Sequence, residues 1–214
     1  MDKTHWLPLF DGTDPSKWAI DGLDEMEIEG DTLVIRQKPV KAEVGGCSWD
    51  NYVISTDVMI TCESKRGHYC IQLTGDGTQI YCQLVPGAVV FGYWCDEPVG
   101  DPRGFTHFGK RDFRVPEGAW FNFQMKAEHD VVTAIVNDKA ILSAKCPRGT
   151  DGGFPGFVVN QQQQSEVRIK NIRIRFLEPT EEQLREYETD ASYNWLKCKA
   201  ACRTAQQSDR SATP

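Results

Sequence analysis

The segment His68-Tyr-Cys-Ile-Gln-Leu-Thr-Gly-Asp-Gly-Thr-Gln-Ile-Tyr-Cys-Gln-Leu84 constrains the fold more than any other part of the chain. Asp76-Gly77 favours a two-residue turn, because a type I′ turn needs positive φ at both central positions. A hairpin centred there pairs Leu73 with Ile80, Ile71 with Cys82 and Tyr69 with Leu84, which makes one wholly apolar face. The opposite face carries His68, Cys70 and Gln72 beside Tyr81, Gln83 and Val85. A core claims only the first face. The second offers flat rings and dual donor–acceptor groups, a chemistry suited to holding a sugar. The alternative is a face that simply meets water, as in many antiparallel sheets. A one-residue slip would mix the two sets, so the register is a sharp test.

The same period of two recurs along residues 1–178. Tyr52–Thr61 alternates, with Tyr52, Ile54, Thr56, Val58 and Ile60 as the buried set. Asp31–Arg36, Ala88–Trp94 and Trp120–Lys126 read as further strands. Val131–Val136, a turn at Asn137-Asp-Lys139 and Ala140–Ser143 read as a second hairpin. Val167–Phe176 alternates basic and apolar side chains, so one of its faces is wet. Many short strands with turns at regular intervals predict an all-β sandwich or barrel. Cys95 to Pro116, with three glycines and three prolines, reads as a long irregular loop of the kind that often carries function. Gln161 to Gln164 is a polar loop or strand edge.

The character changes at Pro179. Thr180-Glu-Glu-Gln183 fits a capping box. Leu184, Tyr187, Ala191, Trp195, Cys198 and Cys202 then recur at helical spacing, which predicts an amphipathic helix of about six turns if continuous. Three regions follow: a domain over 1–178, a C-terminal amphipathic helix over 179–206 and a disordered tail over 207–214. The helix either docks on its own sandwich or presents a face for a protein partner or self-association.

A net charge of −7 argues against nucleic acid, which needs a basic face, and against an anionic membrane. Lys65-Arg66 and Lys110-Arg111 read as basic pairs on solvated loops. No apolar run reaches transmembrane length. No signal peptide is visible ahead of Trp6, which predicts a cytoplasmic protein, or a secreted or periplasmic one if the chain was trimmed. None of the eight cysteines falls in a CxxC pair, so a zinc ribbon is not expected, no metal or other cofactor is predicted, and Cys82 reads as a small core hydrophobe.

Six motifs in order then resemble one family. Leu9-Phe-Asp-Gly12 followed by Lys17-Trp18 is similar to the "LFDG…W" opening of the 3-keto-disaccharide hydrolases. Met26–Leu33 resembles their "W-x-V-x-D-G-x-L" strand pair, with Met26 in place of the Trp. Asp50–Ser55, Ala119–Asn122, Asn137-Asp138, and Gly156–Val159 with Val167–Ile174 resemble the later family motifs. The resemblance covers roughly residues 7–178. It implies a concanavalin A-like jelly roll, two antiparallel sheets with a concave saccharide-binding face, and the cleavage of a 3-keto-glycoside. The family strand "Y-E-V-Q-I-x-D" reads Tyr81-Cys-Gln-Leu-Val-Pro86 here, without its acidic residues.

In a 3-keto sugar the carbonyl acidifies the C2 proton; a base removes it and the C1 substituent leaves. Such a site needs a base near C2 and a donor aimed at the enolate oxygen. His68 is the expected base, and Asp96 or Glu97 the expected loop carboxylate, with His107 a weaker candidate. Tyr81, Tyr93 or Trp94 would stack on the pyranose, Gln72 and Gln83 would bind hydroxyl pairs, and Trp49 would line a rim. Alternation buries at least one of Tyr93 and Trp94. Two functions stay open: a glycoside-cleaving enzyme, and a noncatalytic sugar-binding or protein-interaction module on the same scaffold.

Overall fold

Alternating apolar side chains build two sheets that share one core. The computed structural model describes residues 5–10, 18–21, 26–36, 40–43, 49–62, 68–75, 78–94, 105–147, 149–150, 155–160 and 165–189. Of these, residues 19–21, 43, 62, 68–75, 78–79, 94, 105, 160 and 165 are described by backbone alone. The strands are β1 (Leu7–Phe10), β2 (Ala19–Asp21), β3 (Met26–Glu29), β4 (Thr32–Arg36), β5 (Val40–Glu43), β6 (Tyr52–Cys62), β7 (His68–Gly75) and β8 (Thr78–Val85). They continue with β9 (Ala88–Trp94), β10 (Phe105–Asp112), β11 (Phe121–Glu128), β12 (Val131–Val136), β13 (Lys139–Lys145), β14 (Gly156–Asn160) and β15 (Ser165–Phe176), followed by helix α1 (Glu181–Glu188).

The first sheet runs β13-β12-β11-β6-β15-β4-β3, with β1 also paired to β15; the second runs β10-β9-β8-β7-β14-β5-β2. Strand pairing is antiparallel within both, so the predicted jelly-roll sandwich is what the chain forms. β1 pairs with the C-terminal half of β15, Leu7 opposite Ile174, while β4 holds the N-terminal half. A bulge between Lys170 and Arg173 separates the halves; Asn171 there takes φ +52° and donates to Asp57.

Burial follows the alternation. Phe121, Phe123, Met125 and Ala127 of β11 enter the core with Tyr52, Ile54, Val58 and Ile60 of β6. Each large side chain so buried stabilises the fold by about 1.5–3 kcal/mol. Trp18 joins the layers: its ring meets Phe157 of the second sheet at 5.5 Å, and its indole N–H donates to the Leu9 carbonyl of the first. Cys82 is fully buried, as expected of a small hydrophobe.

The hairpin register is the predicted one: Tyr69 opposite Leu84, Ile71 opposite Cys82, Leu73 opposite Ile80. Its Asp76-Gly77 turn lies outside the described residues. The second hairpin is tighter than expected. Val136 pairs with Lys139, so Asn137 and Asp138 alone turn the chain, at φ +47° and +61°. The stretch read as an irregular loop contains strand β10, so Lys110-Arg111 lie in a sheet and not on a loop; residues 95–104, like Lys65-Arg66 and Gln161 to Gln164, lie outside the described residues.

Helix α1 begins where the sequence places it. The Thr180 hydroxyl accepts from the Gln183 N–H, and the Gln183 side chain accepts from the Thr180 N–H. The helix ends at Glu188, because Thr189 returns to extended backbone. One continuous six-turn helix from Thr180 is therefore not formed, and Trp195, Cys198 and Cys202 lie outside the described residues. The short helix docks on its own sandwich: the Gln183 amide donates to the Asp50 carbonyl, Tyr187 donates to the Pro8 carbonyl at 2.6 Å, and Leu184 packs on the core.

Candidate functional site

The outward face of the second sheet carries the only group of sequence-singled polar residues that the described side chains bring together. In β8, Ile80, Cys82 and Leu84 point into the core, which turns Tyr81, Gln83 and Val85 outward. In β9, Val89, Phe91 and Tyr93 are core residues, which turns Ala88, Val90 and Gly92 outward.

Strand β10 departs from simple alternation. His107 pairs with Gly92 and Gly109 pairs with Phe91, so Phe108 is an extra residue in the ladder. Phe108 stacks on the inward Phe91 ring at 5.6 Å. A β-carbon at Gly109 would also meet Phe91, so both bulge residues face the core side. The bulge thus puts His107, Lys110 and Asp112 on one outward face, where strict alternation would have grouped His107 with Gly109 and Arg111.

Together these strands shape an open cleft of about 460 Å³. Val85, Ala88 and Val90 give an apolar floor; Gln83, His107, Lys110 and Asp112 give the polar edge. The Pro86-Gly87 hairpin tip closes one end, held by the Phe113 N–H donating to the Gly87 carbonyl. The set combines an imidazole, an ammonium, a carboxylate and an amide over a flat apolar base. It can accept a proton, stabilise a developing anion and hydrogen-bond vicinal hydroxyls. Among the described residues, no three or more His, Cys, Asp or Glu side chains gather as a metal site.

The other expected site residues fall as follows. His68 and Gln72 occupy β7 at register positions opposite Asn160 of β14 and Tyr81 of β8, described by backbone alone. Trp94 ends β9 opposite Gln79 and Phe105, also by backbone alone. Asp96 and Glu97 lie outside the described residues. Three expectations are corrected by burial. Trp49 is fully buried, edge-on to Phe176 at 5.1 Å, and lines no rim. Tyr93 is a core residue stacked near Phe108, so it is no sugar platform. Tyr81 does face outward, but it is only 3% exposed and its hydroxyl fills the space over Gly92, so its ring is not open to a ligand. Lys110 and Asp112 were missed as site residues; the signal for them is the slip of one residue in Phe105-Thr-His-Phe-Gly-Lys-Arg-Asp112.

A family model of the 3-keto-alpha-glucoside-1,2-lyase-like domain matches residues 5–175. The chain belongs to that family. Among curated protein sequences none matches this lyase-like domain significantly. Solved structures share its fold at low identity. A galectin-like-fold protein from Bacillus subtilis superposes with a TM-score of 0.62 at 11% identity, covering 80% of this chain and 94% of its own. The carbohydrate-binding module CBM66 from Bacillus subtilis gives 0.56 at 11% identity, covering 75% and 96%. The Caenorhabditis elegans galectin LEC-6 gives 0.50 at 14% identity, covering 67% and 95%.

Proposed function

We propose that the domain binds a saccharide in the cleft of the second sheet and, when that saccharide is a 3-keto-glycoside, cleaves it by elimination. The observation that carries the reading is the cleft itself, an apolar floor edged by Gln83, His107, Lys110 and Asp112. Family membership and the carbohydrate-binding neighbours support it. The floor suits the apolar face of a pyranose, and Gln83 suits a hydroxyl pair. In the cleavage step His107 takes the C2 proton, the electron pair moves toward the C3 oxygen, and the C1–O bond breaks. Lys110 offsets the charge developing on the enolate oxygen, and the departing oxygen leaves as an alcohol on receiving, through His107 or solvent, the equivalent of the proton taken from C2.

A noncatalytic sugar-binding module is the second reading. The strand Tyr81-Cys-Gln-Leu-Val-Pro86, which carries no carboxylate toward the cleft, favours it. One experiment separates the two: a calorimetric screen of neutral and oxidised disaccharides, followed by a turnover assay on each hit. Saturable binding with release of the C1 alcohol, lost in His107→Ala, fits the lyase. Saturable binding without turnover fits the module. Absence of saturable binding to any saccharide overturns both.

A further inference from the structure

The outward face of the first sheet holds two arginines that no carboxylate answers among the described residues. Strand β15 sends Val167, Ile169, Ile172, Ile174 and Phe176 into the core and its basic side chains outward. Before the bulge these cations have partners: Arg168 binds Glu166 and Glu29, and Lys170 faces Asp31. Among the described residues Arg173 and Arg175 pair with no carboxylate, and the Nε of each is shut from water without an acceptor. Both guanidinium carbons sit under one indole, at 4.7 and 5.0 Å from the Trp6 ring centre.

Among the described residues the register neighbours of both arginines are not acids, and Asp57, two residues from Ser55, accepts from Asn122 and Asn171. Across β6 stand Ser55 and Val53, and beyond them Gln124 and Lys126 of β11. Lys126 is already paired with Glu128. On the other side Arg173 meets Pro8. Two half-buried like charges side by side are costly unless an anion joins them. In a chain of net charge −7, leaving them without a carboxylate is a poor structural solution and a good anion seat. Guanidinium groups present forked donors that match tetrahedral oxyanions, and stacking on an indole orients the planes without consuming those donors.

We infer that Arg173 and Arg175, oriented by Trp6, bind a doubly charged oxyanion, a phosphate or sulfate group, on the sheet opposite the saccharide cleft. The group is either free in solution or carried on a sugar. The site shares no residue with the cleft, so it stands or falls independently of the proposed function.

The test follows the arginine Nε–H resonances of the full chain while inorganic phosphate, and separately sulfate, replaces chloride at constant ionic strength. Two arginine resonances should shift saturably, and the melting temperature should rise with the same midpoint. Arg173→Gln and Arg175→Gln should each weaken the midpoint at least tenfold, while Arg175→Lys should recover only part of it. Lys110→Met, in the cleft, should leave it unchanged. Glucose 6-phosphate tested beside glucose separates the sources: a tighter midpoint than inorganic phosphate identifies a sugar-borne group, an equal one a free anion. A response that is linear in phosphate, or that persists in the Arg173→Gln, Arg175→Gln double variant, overturns the assignment.

Discussion

Gly92 decides where Tyr81 can lie. A β-carbon there would collide with the Tyr81 hydroxyl and sit 2.9 Å from the Thr106 carbonyl oxygen. The ring can swing but the carbonyl belongs to β10, so Gly92→Ala must push strands apart. We expect it to destabilise the fold by about 1–3 kcal/mol in urea denaturation, with part recovered when Tyr81→Ala is added. An unchanged midpoint would mean that β9 and β10 have slack the structure does not show. Gln83, one position along the same face, is half-buried at the cleft edge. Gln83→Ala should weaken saccharide binding by about 1–3 kcal/mol while leaving stability alone. Calorimetry on the tightest disaccharide decides this, and equal affinity for both proteins would remove Gln83 from the site.

At the scale of elements, what was legible depended on whether local chemistry fixed the register. The Asp76-Gly77 turn signal sets the expected centre of the 68–85 hairpin, and the pairing of Ile71 with Cys82 is the one that signal predicts. Strand β10 was not legible, because Phe108 breaks the period of two and Gly109 mimics a loop. The error carried over to the site, since it hid Lys110 and Asp112 in an apparent loop. Trp49 misled for another reason: its neighbours Gly45, Gly46, Cys47 and Ser48 set no alternation, so nothing local said which way it points. Helix α1 shows both outcomes. Its start is written in the capping box, but its end depends on Thr189 leaving helical geometry, which side-chain spacing does not report. Thr180→Ala should cost about 0.5–2 kcal/mol, read as a lower urea midpoint. If the midpoint holds, the helix contributes nothing to the stability of the sandwich.

Across the whole molecule, acid is the condition that reaches most of its surface pairs. A hydrogen bond from Arg36 holds Glu29 below the usual glutamate range. Desolvation pushes Glu166 up, but hydrogen bonds from Arg168 and Arg36 outweigh it and the net shift is downward. Lys145 lowers Asp130 in the same way. Carboxyls lowered in the folded state stabilise it above their ordinary pKa values, and that contribution fades as pH falls through the lowered ones. The melting temperature should therefore be level near neutrality and drop below about pH 4.5, with a shallower drop in Glu166→Gln. A flat profile to pH 3 would show that these exposed pairs are worth nothing.

The ion pairs of Arg36 reach the terminal strand of the first sheet. There β3 carries Glu27 and Glu29, both held by Arg36, on either side of the exposed Ile28. An edge strand is a template for another chain, and fixed charges flanking its exposed apolar side chain make a second copy an unwelcome partner. Protonating Glu29 leaves Ile28 in place and takes away part of its guard. For this protein, acid is thus a hazard to colloidal stability as well as to the fold: chains still folded would begin to add to one another edge to edge.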